Sequence, residues 1–221
     1  MSYVLGVIVS SMLALPPRAQ GCVIDSTASW VQVNRAWATG GGRWTNDSLR
    51  GILLSLLRED QDVRKDAGAR ATDSSYVKQV EAVDRRLSDS VSALLDKFGF
   101  PGRSVAGGLG TSALFTLAQH SASLQERVLS LAKQAPPGEA PPHLLATLED
   151  RILVRQGKPQ RFGTEFLFGP DGRLRLARVD DIRGMVARRR EAGLPPMELY
   201  VCLMEENGMR IDRTTIPPPP T

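Results

Sequence analysis

Apolar residues recur three and four positions apart along much of the chain, which is the spacing of amphipathic helices. The pattern predicts helices at residues 46–66, 75–99, 112–120 and 123–134, and a fifth helix that starts at Pro141 or Pro142. Asp47 or Ser48 can cap the first of these helices. Gly99, followed by Pro101, ends the second, because glycine suits a left-handed C-terminal cap and proline prevents the helix from resuming.

The pattern changes after Gly163. The segment "FLFGPDGRLRLARV" (166–179) alternates around a Gly-Pro-Asp-Gly turn, which predicts two short strands. Two further helices are predicted in "DDIRGMVARRREAG" (180–193), with Asp180 as its cap, and in "PPMELYVCLMEENG" (195–208). The predicted fold is mainly α, a compact helical domain with a small C-terminal β-hairpin.

Four segments are predicted along the chain. They are a signal peptide at 1–21, a tryptophan-containing segment at 22–45, the helical domain at 46–206 and a proline-rich tail at 207–221. Trp30 and Trp37 are seven residues apart, which places them on one face of a helix. The segment is expected to dock onto the core through its indoles, and an aromatic lip on a ligand groove is the alternative.

The N-terminal stretch "MSYVLGVIVSSMLALPPRAQGC" has the features of a secretory signal peptide. Its apolar run, from Val4 to Leu15, is too short to span a bilayer. Ala19 and Gly21 are small residues at the positions required for cleavage after Gly21. An exported protein, periplasmic or secreted, is therefore predicted. The alternative is an ordinary N-terminal strand or helix.

Cys22 would be the first residue after that cleavage. Acylation of Cys22 would make the protein a lipoprotein and supply its membrane attachment, and plain cleavage is the alternative. Cys202 is the only other cysteine. In an exported protein the two can form a disulfide, although a buried thiol at Cys202 fits its apolar surroundings equally well. Neither cysteine has the sequence spacing of a zinc site, and no metal or cofactor is predicted.

The charge distribution argues against one class of partner. The net charge is +4, and the densest basic cluster, Arg188 to Arg190, is predicted to lie on a solvated helix face. A nucleic-acid surface needs a broader basic stripe with aromatic residues for stacking, and aromatic residues are only 5% of this chain. Nucleic acid is therefore not expected as a partner.

Several charged residues fall on or beside the apolar faces of the predicted helices. Asp60 and Asp84 lie in the middle of apolar stripes, and Arg64 lies near the same face as Asp60. Because buried charges are costly unless they are paired, these positions predict a shared polar cluster between helices. Its candidate members are Asp60, Arg64, Asp84, His120 and Arg151, with Asp150, Gln119 and Gln160 nearby.

Two interpretations of this cluster remain open. It is either a salt-bridge network that fixes the register of the helices, or a ligand-binding or catalytic pocket. In both, Arg151 is expected to donate to an inward carboxylate such as Asp84 or Asp60. His143, beside Pro142, is instead predicted to lie at the surface.

Short motifs, taken in order, resemble a bacterial family of unknown function. They are "EDQDVR" (59–64), "VDRR" (83–86), "GFPGRSVAG" (99–107), "AQHS" (118–121), "EDRILVRQGKPQRFGT" (149–164) and "GLPPMELY" (193–200), and together they cover about residues 47–200. Phe100 and Phe162 stand where the family usually has Trp and Tyr, so no catalytic role is assigned to Phe162. The resemblance implies no reaction, but its motif residues coincide with the charges described above.

These observations predict a partly buried pocket for a small polar or anionic ligand. The predicted ligand-binding residues are Arg64, Gln119, Asp150, Arg151, Gln160 and Thr164. The alternative is a metal-independent, hydrolase-type enzyme in which Asp60 or Asp84 orients His120 as general acid or base. A structural protein of the cell envelope is a further alternative.

Overall fold

The computed structural model describes residues 22, 28–39, 43–65, 67–70 and 72–218, so the predicted signal peptide at 1–21 lies outside the described residues. The chain is divided into two compact units. The central unit is Ala38–Pro141, and the terminal unit combines the residues up to Trp37 with those from Pro142 onward. The second boundary falls in the proline-rich segment "APPGEAPP" (135–142).

The described fold is mainly helical, with one small hairpin, as the sequence predicts. The helices are α1 (Ser29–Thr39), α2 (Asp47–Arg64), α3 (Ala67–Arg70), α4 (Ser74–Phe98), α5 (Arg103–Ala118), α6 (Ala122–Gln134), α7 (Pro142–Arg155), α8 (Ile182–Glu191) and α9 (Met197–Glu206). The strands β1 (Phe166–Phe168) and β2 (Leu174–Leu176) pair antiparallel, and a short 3₁₀ helix covers Arg213–Thr215. Among the described helices, none is both long and apolar enough to cross a membrane.

Two helix caps differ from the predicted residues. Asn46, not Asp47 or Ser48, caps α2, because its side chain accepts a hydrogen bond from the backbone N–H of Leu49. Asp181, not Asp180, caps α8 in the same way. The composition of both segments offers several adjacent capping residues, and the backbone geometry selects one of them.

Helix α5 forms the core of the central unit. From Ala106 to Ala118, every residue except Leu109 is buried. Helices α2, α4 and α6 pack against α5, and α2 also packs against α4. A helix that is apolar all round is expected at the centre of such a packing. The polar positions on the inner faces of α2 and α4 are thereby brought near the end of α5.

The hairpin, α8 and α9 share the apolar core of the terminal unit. Its buried members are Phe166, Leu174, Met185, Met197, Tyr200, Val201, Met204 and Ile211. Ile211 also pairs with Leu174 through a β-bridge. The chain therefore continues to pack against this core through Ile211. Trp30 and Trp37 are buried, in agreement with the predicted docking through indoles.

Cys22 and Cys202 form a disulfide that joins positions 180 residues apart. The sequence left a disulfide and a buried free thiol at Cys202 as equal alternatives, and the structure selects the disulfide. One sulfur atom cannot carry both a disulfide and a thioether-linked lipid. The predicted acylation of Cys22 is therefore incompatible with this form of the protein.

Helix α5 is interrupted at Gly107, whose φ is +69°. A Cβ atom at this position would lie 2.8 Å from Nη1 of Arg50 and 2.9 Å from the indole of Trp44. Those two side chains are stacked, with the guanidinium carbon 4.2 Å from the ring centroid. Both the backbone conformation and the close approach therefore require glycine.

We expect Gly107→Ala to lower the free energy of unfolding by about 1–3 kcal/mol, because an L-residue is strained at this φ. Gly51 is the matched control, since it lies inside α2 and, among the described residues outside its own helix backbone, no atom lies within 4 Å of an added Cβ. Gly51→Ala should raise the free energy of unfolding by about 0.5–1 kcal/mol. Urea denaturation measures both changes, and a Gly107→Ala protein as stable as the wild type would contradict the prediction.

Candidate functional site

Four of the predicted site residues lie together in the central unit. Asp60 and Arg64 are one turn apart on α2, Asp84 lies on α4, and His120 follows the end of α5. Nη1 of Arg64 is 2.9 Å from Oδ1 of Asp60, and Nη2 of Arg64 contacts Oδ1 of Asp84. Nε2 of His120 is 3.4 Å from Oδ1 of Asp60. We call these four residues the Asp60 cluster.

The members of the Asp60 cluster differ in their access to solvent. The side chain of Asp60 is 1% exposed, whereas those of His120 and Asp84 are 18% and 22% exposed. Burial raises the pKa of the Asp60 carboxyl. The Arg64 charge and the hydrogen bond from the Gln61 amide oppose that rise, and the charge of Asp84 adds to it. The cluster thus combines a deeply buried carboxylate with two partly exposed side chains.

Oδ1 of Asp60 is buried, and within the described residues it accepts no hydrogen bond of good geometry. Nη1 of Arg64 is close to this oxygen, but its aligned hydrogen bond goes to the backbone carbonyl of Asp60, at 3.0 Å. The amide of Gln61 donates to the other oxygen, Oδ2, at 2.7 Å. Since a buried acceptor normally has an aligned donor, Oδ1 is an exception that needs a functional or structural explanation.

Gln119 is buried beside His120, and its backbone carbonyl accepts a hydrogen bond from the side chain of Gln125 at 2.8 Å. This contact connects the end of α5 to α6. It stabilises the turn on which His120 lies.

A cavity of about 340 Å³ lies at the opposite end of α5 from His120. Oε2 of Glu139 borders it and accepts hydrogen bonds from the backbone N–H and the hydroxyl of Ser104, both at 3.0 Å. The carboxylate thus occupies the N-terminal end of α5, where negative charge is favoured. The lining residues are Phe100, Gly102, Ser104, Val105, Leu131, Gln134, Ala135, Pro136 and Glu139, and they include no member of the Asp60 cluster.

The other predicted ligand-binding residues belong to the terminal unit, where Asp150 organises a loop. Its carboxylate accepts hydrogen bonds from the backbone N–H groups of Arg161 at 2.7 Å, Phe162 at 3.1 Å and Thr164 at 3.0 Å, and from the Thr164 hydroxyl at 2.9 Å. Burial raises the pKa of Asp150, and these donors oppose the rise. Asp150 therefore holds residues 161–164 against the end of α7, and we call Asp150 together with these four residues the Asp150 loop.

Gln160 and Arg151 complete this network through Glu165. The Gln160 side chain donates to the carbonyls of Glu165 and Ala177 and accepts from the N–H of Glu165, each at 2.9 Å. Nε and Nη2 of Arg151 donate to Oε1 of Glu165 at 3.1 and 3.0 Å. The carboxylate partner of Arg151 is thus Glu165 rather than the predicted Asp84 or Asp60. The turn after α7 brings Glu165 back beside the helix.

Arg189 was predicted to lie on a solvated helix face, but its side chain is only 2% exposed. Its guanidinium donates to the carbonyls of Phe162, Gly163 and Pro195 at 2.7–3.1 Å. Burial lowers the pKa of Arg189 to about 10. Its position four residues after the buried Met185 is the sequence signal that would have identified it.

Glu165 and Tyr200 were also missed by the sequence analysis. The hydroxyl of Tyr200 donates to the carbonyl of Thr164 at 3.2 Å, and the ring of Tyr200 lies 5.0 Å from the guanidinium carbon of Arg189. Tyr200 falls on the apolar face of α9, so periodicity assigns it to the core without indicating its polar contact. Glu165 lies outside any periodic segment, and no sequence signal distinguishes it.

His143 was predicted at the surface, and this prediction is wrong. The side chain is buried in the first turn of α7, and its Nδ1 has no hydrogen-bond partner within the described residues. Burial lowers the pKa of the imidazole to about 4. Helix α7 is buried on most of its surface, and even its first turn is enclosed.

A comparison with known protein families covers the part of the chain that holds both polar networks. A family of unknown function, DUF6624, matches residues 47–212. The chain belongs to this family. The match includes the Asp60 cluster and the Asp150 loop, and the family description carries no activity. No curated protein and no solved structure matches the chain.

We expect Asp150→Asn to lower the free energy of unfolding by about 2–4 kcal/mol. The NH₂ group of asparagine replaces one carboxylate oxygen, so the backbone N–H groups that donated to that oxygen lose their acceptor. Glu149→Gln is the matched control. Glu149 precedes Asp150 and pairs with Arg161 at 2.7 Å near the surface. Its replacement should change stability by less than about 1 kcal/mol. Equal losses in the two variants, measured by urea denaturation, would contradict the role assigned to Asp150.

Burial of neutral His143 predicts a loss of stability in acid. The folded-state pKa of about 4 lies below the ordinary value of 6.5, so the unfolded chain binds more protons between these values. Stability should therefore fall as the pH drops through this window, by about 3 kcal/mol in total. His143→Leu removes this contribution, so its loss between about pH 7 and about pH 4.5 should be smaller. Identical losses in wild type and variant would rule the explanation out.

Proposed function

We propose that the Asp60 cluster binds a small polar ligand and that His120 exchanges a proton with it in metal-independent, hydrolase-type chemistry. The observation that carries the proposal is the buried Oδ1 of Asp60. This oxygen accepts no aligned hydrogen bond within the described residues, and it lies 3.4 Å from the partly exposed imidazole of His120. A histidine supported by a buried carboxylate can act as a general base near neutral pH.

In this proposal the four residues have different roles. His120 removes a proton from a water molecule, whose oxygen attacks the substrate, and the imidazole later returns a proton to the leaving group. Asp60 orients the imidazole and stabilises the imidazolium formed during the reaction. Arg64 positions the Asp60 carboxylate through the 2.9 Å contact of its Nη1, and Asp84 contacts Nη2 of the same guanidinium.

The charges of the cluster favour a particular kind of ligand. Two carboxylates surround one guanidinium, and that guanidinium already contacts both of them. An anionic ligand would meet two negative charges without an uncommitted cation in the cluster. Electrostatics therefore favours a neutral or cationic ligand over the anionic ligand that the sequence also allowed.

The Asp150 loop has a supporting role in the proposal. The polar side chains of Asp150, Arg151, Gln160 and Thr164 bond to backbone groups or to Glu165. Such contacts stabilise the loop, and they engage the groups that were predicted to bind a ligand. We therefore assign these residues to stabilising the terminal unit.

Export from the cytoplasm is part of the same proposal. The Cys22–Cys202 disulfide supports it, because disulfides persist mainly in oxidising compartments. N-terminal sequencing of the protein recovered from its host should find Cys22 at the start of the mature chain. A chain that retains residues 1–21 after purification from that source would contradict cleavage after Gly21.

The test of catalysis uses release of p-nitrophenol from p-nitrophenyl acetate, a chromogenic ester. We expect the wild type to accelerate release, and His120→Gln to reduce the rate by about 100-fold or more. Asp60→Asn should reduce it comparably. Asp96→Asn is the matched control, because Asp96 also lies on α4 but pairs with Arg127 outside the cluster. The control should retain the wild-type rate.

Thermal melting of the same variants separates catalysis from stability. His120→Gln should melt within a few degrees of the wild type if the histidine serves chemistry. If the wild type is no faster than His120→Gln, or if His120→Gln loses activity only because it unfolds, the catalytic proposal fails. The cluster would then be a structural salt-bridge network.

A further inference from the structure

We propose that Cys22, Cys202 and Glu206 form a zinc-binding site when the Cys22–Cys202 disulfide is reduced. The two sulfur atoms and a carboxylate oxygen of Glu206 all lie within 4.8 Å of one another. Two thiolates and a carboxylate are a donor set that zinc binds, with the fourth tetrahedral position left for water. This site lies in the terminal unit and is independent of the proposed chemistry at His120.

Two of the ligands are held by one helix. Cys202 and Glu206 are four residues apart on α9, which places their side chains on the same helix face. The same spacing serves metal sites in which two ligands on one helix bind a single ion. The spacing of the three residues along the sequence is not that of a zinc motif, because the third ligand, Cys22, is distant along the chain.

The position of Cys22 does not depend on the disulfide alone. Its backbone N–H donates a hydrogen bond to Oε1 of Glu206 at 2.9 Å. This contact can hold Cys22 beside α9 after the S–S bond is broken. A carboxylate can accept a hydrogen bond and ligate a metal at the same time, because its two oxygens carry about four lone-pair positions.

A phosphine can serve as the reductant of the Cys22–Cys202 disulfide. The phosphine and one water molecule convert the disulfide to two thiols, and the phosphine becomes its oxide. Zinc then replaces the two thiol protons, which are released, and forms two Zn–S bonds and one bond to Glu206. Zinc and the disulfide are therefore alternative cross-links between Cys22 and α9.

Solvent access favours entry of the ion. Glu206 is exposed and Cys202 is partly exposed, whereas Cys22 is buried. The three ligands carry up to three negative charges when the thiols are deprotonated, so a divalent cation is strongly attracted. Thiolate ligands select zinc over calcium and magnesium, which prefer oxygen ligands.

The experiment compares the full chain in its oxidised form with the chain reduced by a phosphine that is then removed under nitrogen. Zinc is titrated in competition with a chromogenic chelator. We expect the reduced protein to bind about one zinc ion per chain and the oxidised protein to bind none. Glu206→Gln should weaken zinc binding about tenfold or more, and Cys22→Ser should abolish it.

Glu205→Gln is the matched control, because Glu205 is the adjacent residue on α9 but pairs with Arg213. It should bind zinc as the reduced wild type does. Glu206→Gln retains both cysteines, so circular dichroism of its oxidised form establishes that it folds. Zinc should also raise the melting temperature of the reduced wild type, which binding to an unfolded dithiol would not do.

Three results would overturn the proposal. They are zinc binding by the oxidised chain equal to that of the reduced chain, no binding by the reduced chain, and equal effects of Glu206→Gln and Glu205→Gln. None of these results bears on ester hydrolysis at His120, so failure of the zinc site and failure of the catalytic proposal are distinguishable.

Discussion

A charge removed from water must meet an opposite charge or a set of hydrogen-bond donors, and this constraint organises both units of the protein. In the central unit, Arg64 contacts the carboxylates of Asp60 and Asp84 and thereby ties α2 to α4. In the terminal unit, Asp150 accepts hydrogen bonds from backbone N–H groups, and Arg189 donates hydrogen bonds to backbone carbonyls. These contacts give the buried charges of Asp60, Arg64, Asp150 and Arg189 polar partners.

The two networks differ in how completely they are satisfied. In the Asp150 loop, both carboxylate oxygens of Asp150 accept hydrogen bonds from backbone N–H groups, and the Thr164 hydroxyl donates to Asp150. Contacts of this kind stabilise the fold. In the Asp60 cluster, a buried oxygen has no aligned donor among the described residues, and it lies next to a partly exposed imidazole. Incomplete satisfaction in a buried place is destabilising, so its presence favours a functional role for this cluster.

Much of the candidate site follows from helical periodicity. Placing Asp60, Arg64 and Asp84 on a helical wheel puts them on inward faces, and the structure brings them together with His120. The same reasoning fails for Arg151, because a wheel gives the face of a side chain but not its partner. The partner, Glu165, is in a turn that has no periodicity.

The sequence alone determined the hairpin, most of the helices and the inward charges, because these depend on neighbours a few residues apart. Only the tertiary structure decided the division into two units, the burial of His143 and Arg189, and the Cys22–Cys202 pairing. Each of these depends on contacts between residues that are distant along the chain. Local periodicity carries no information about such contacts, since the spacing of apolar residues defines a helix face but not what packs against it.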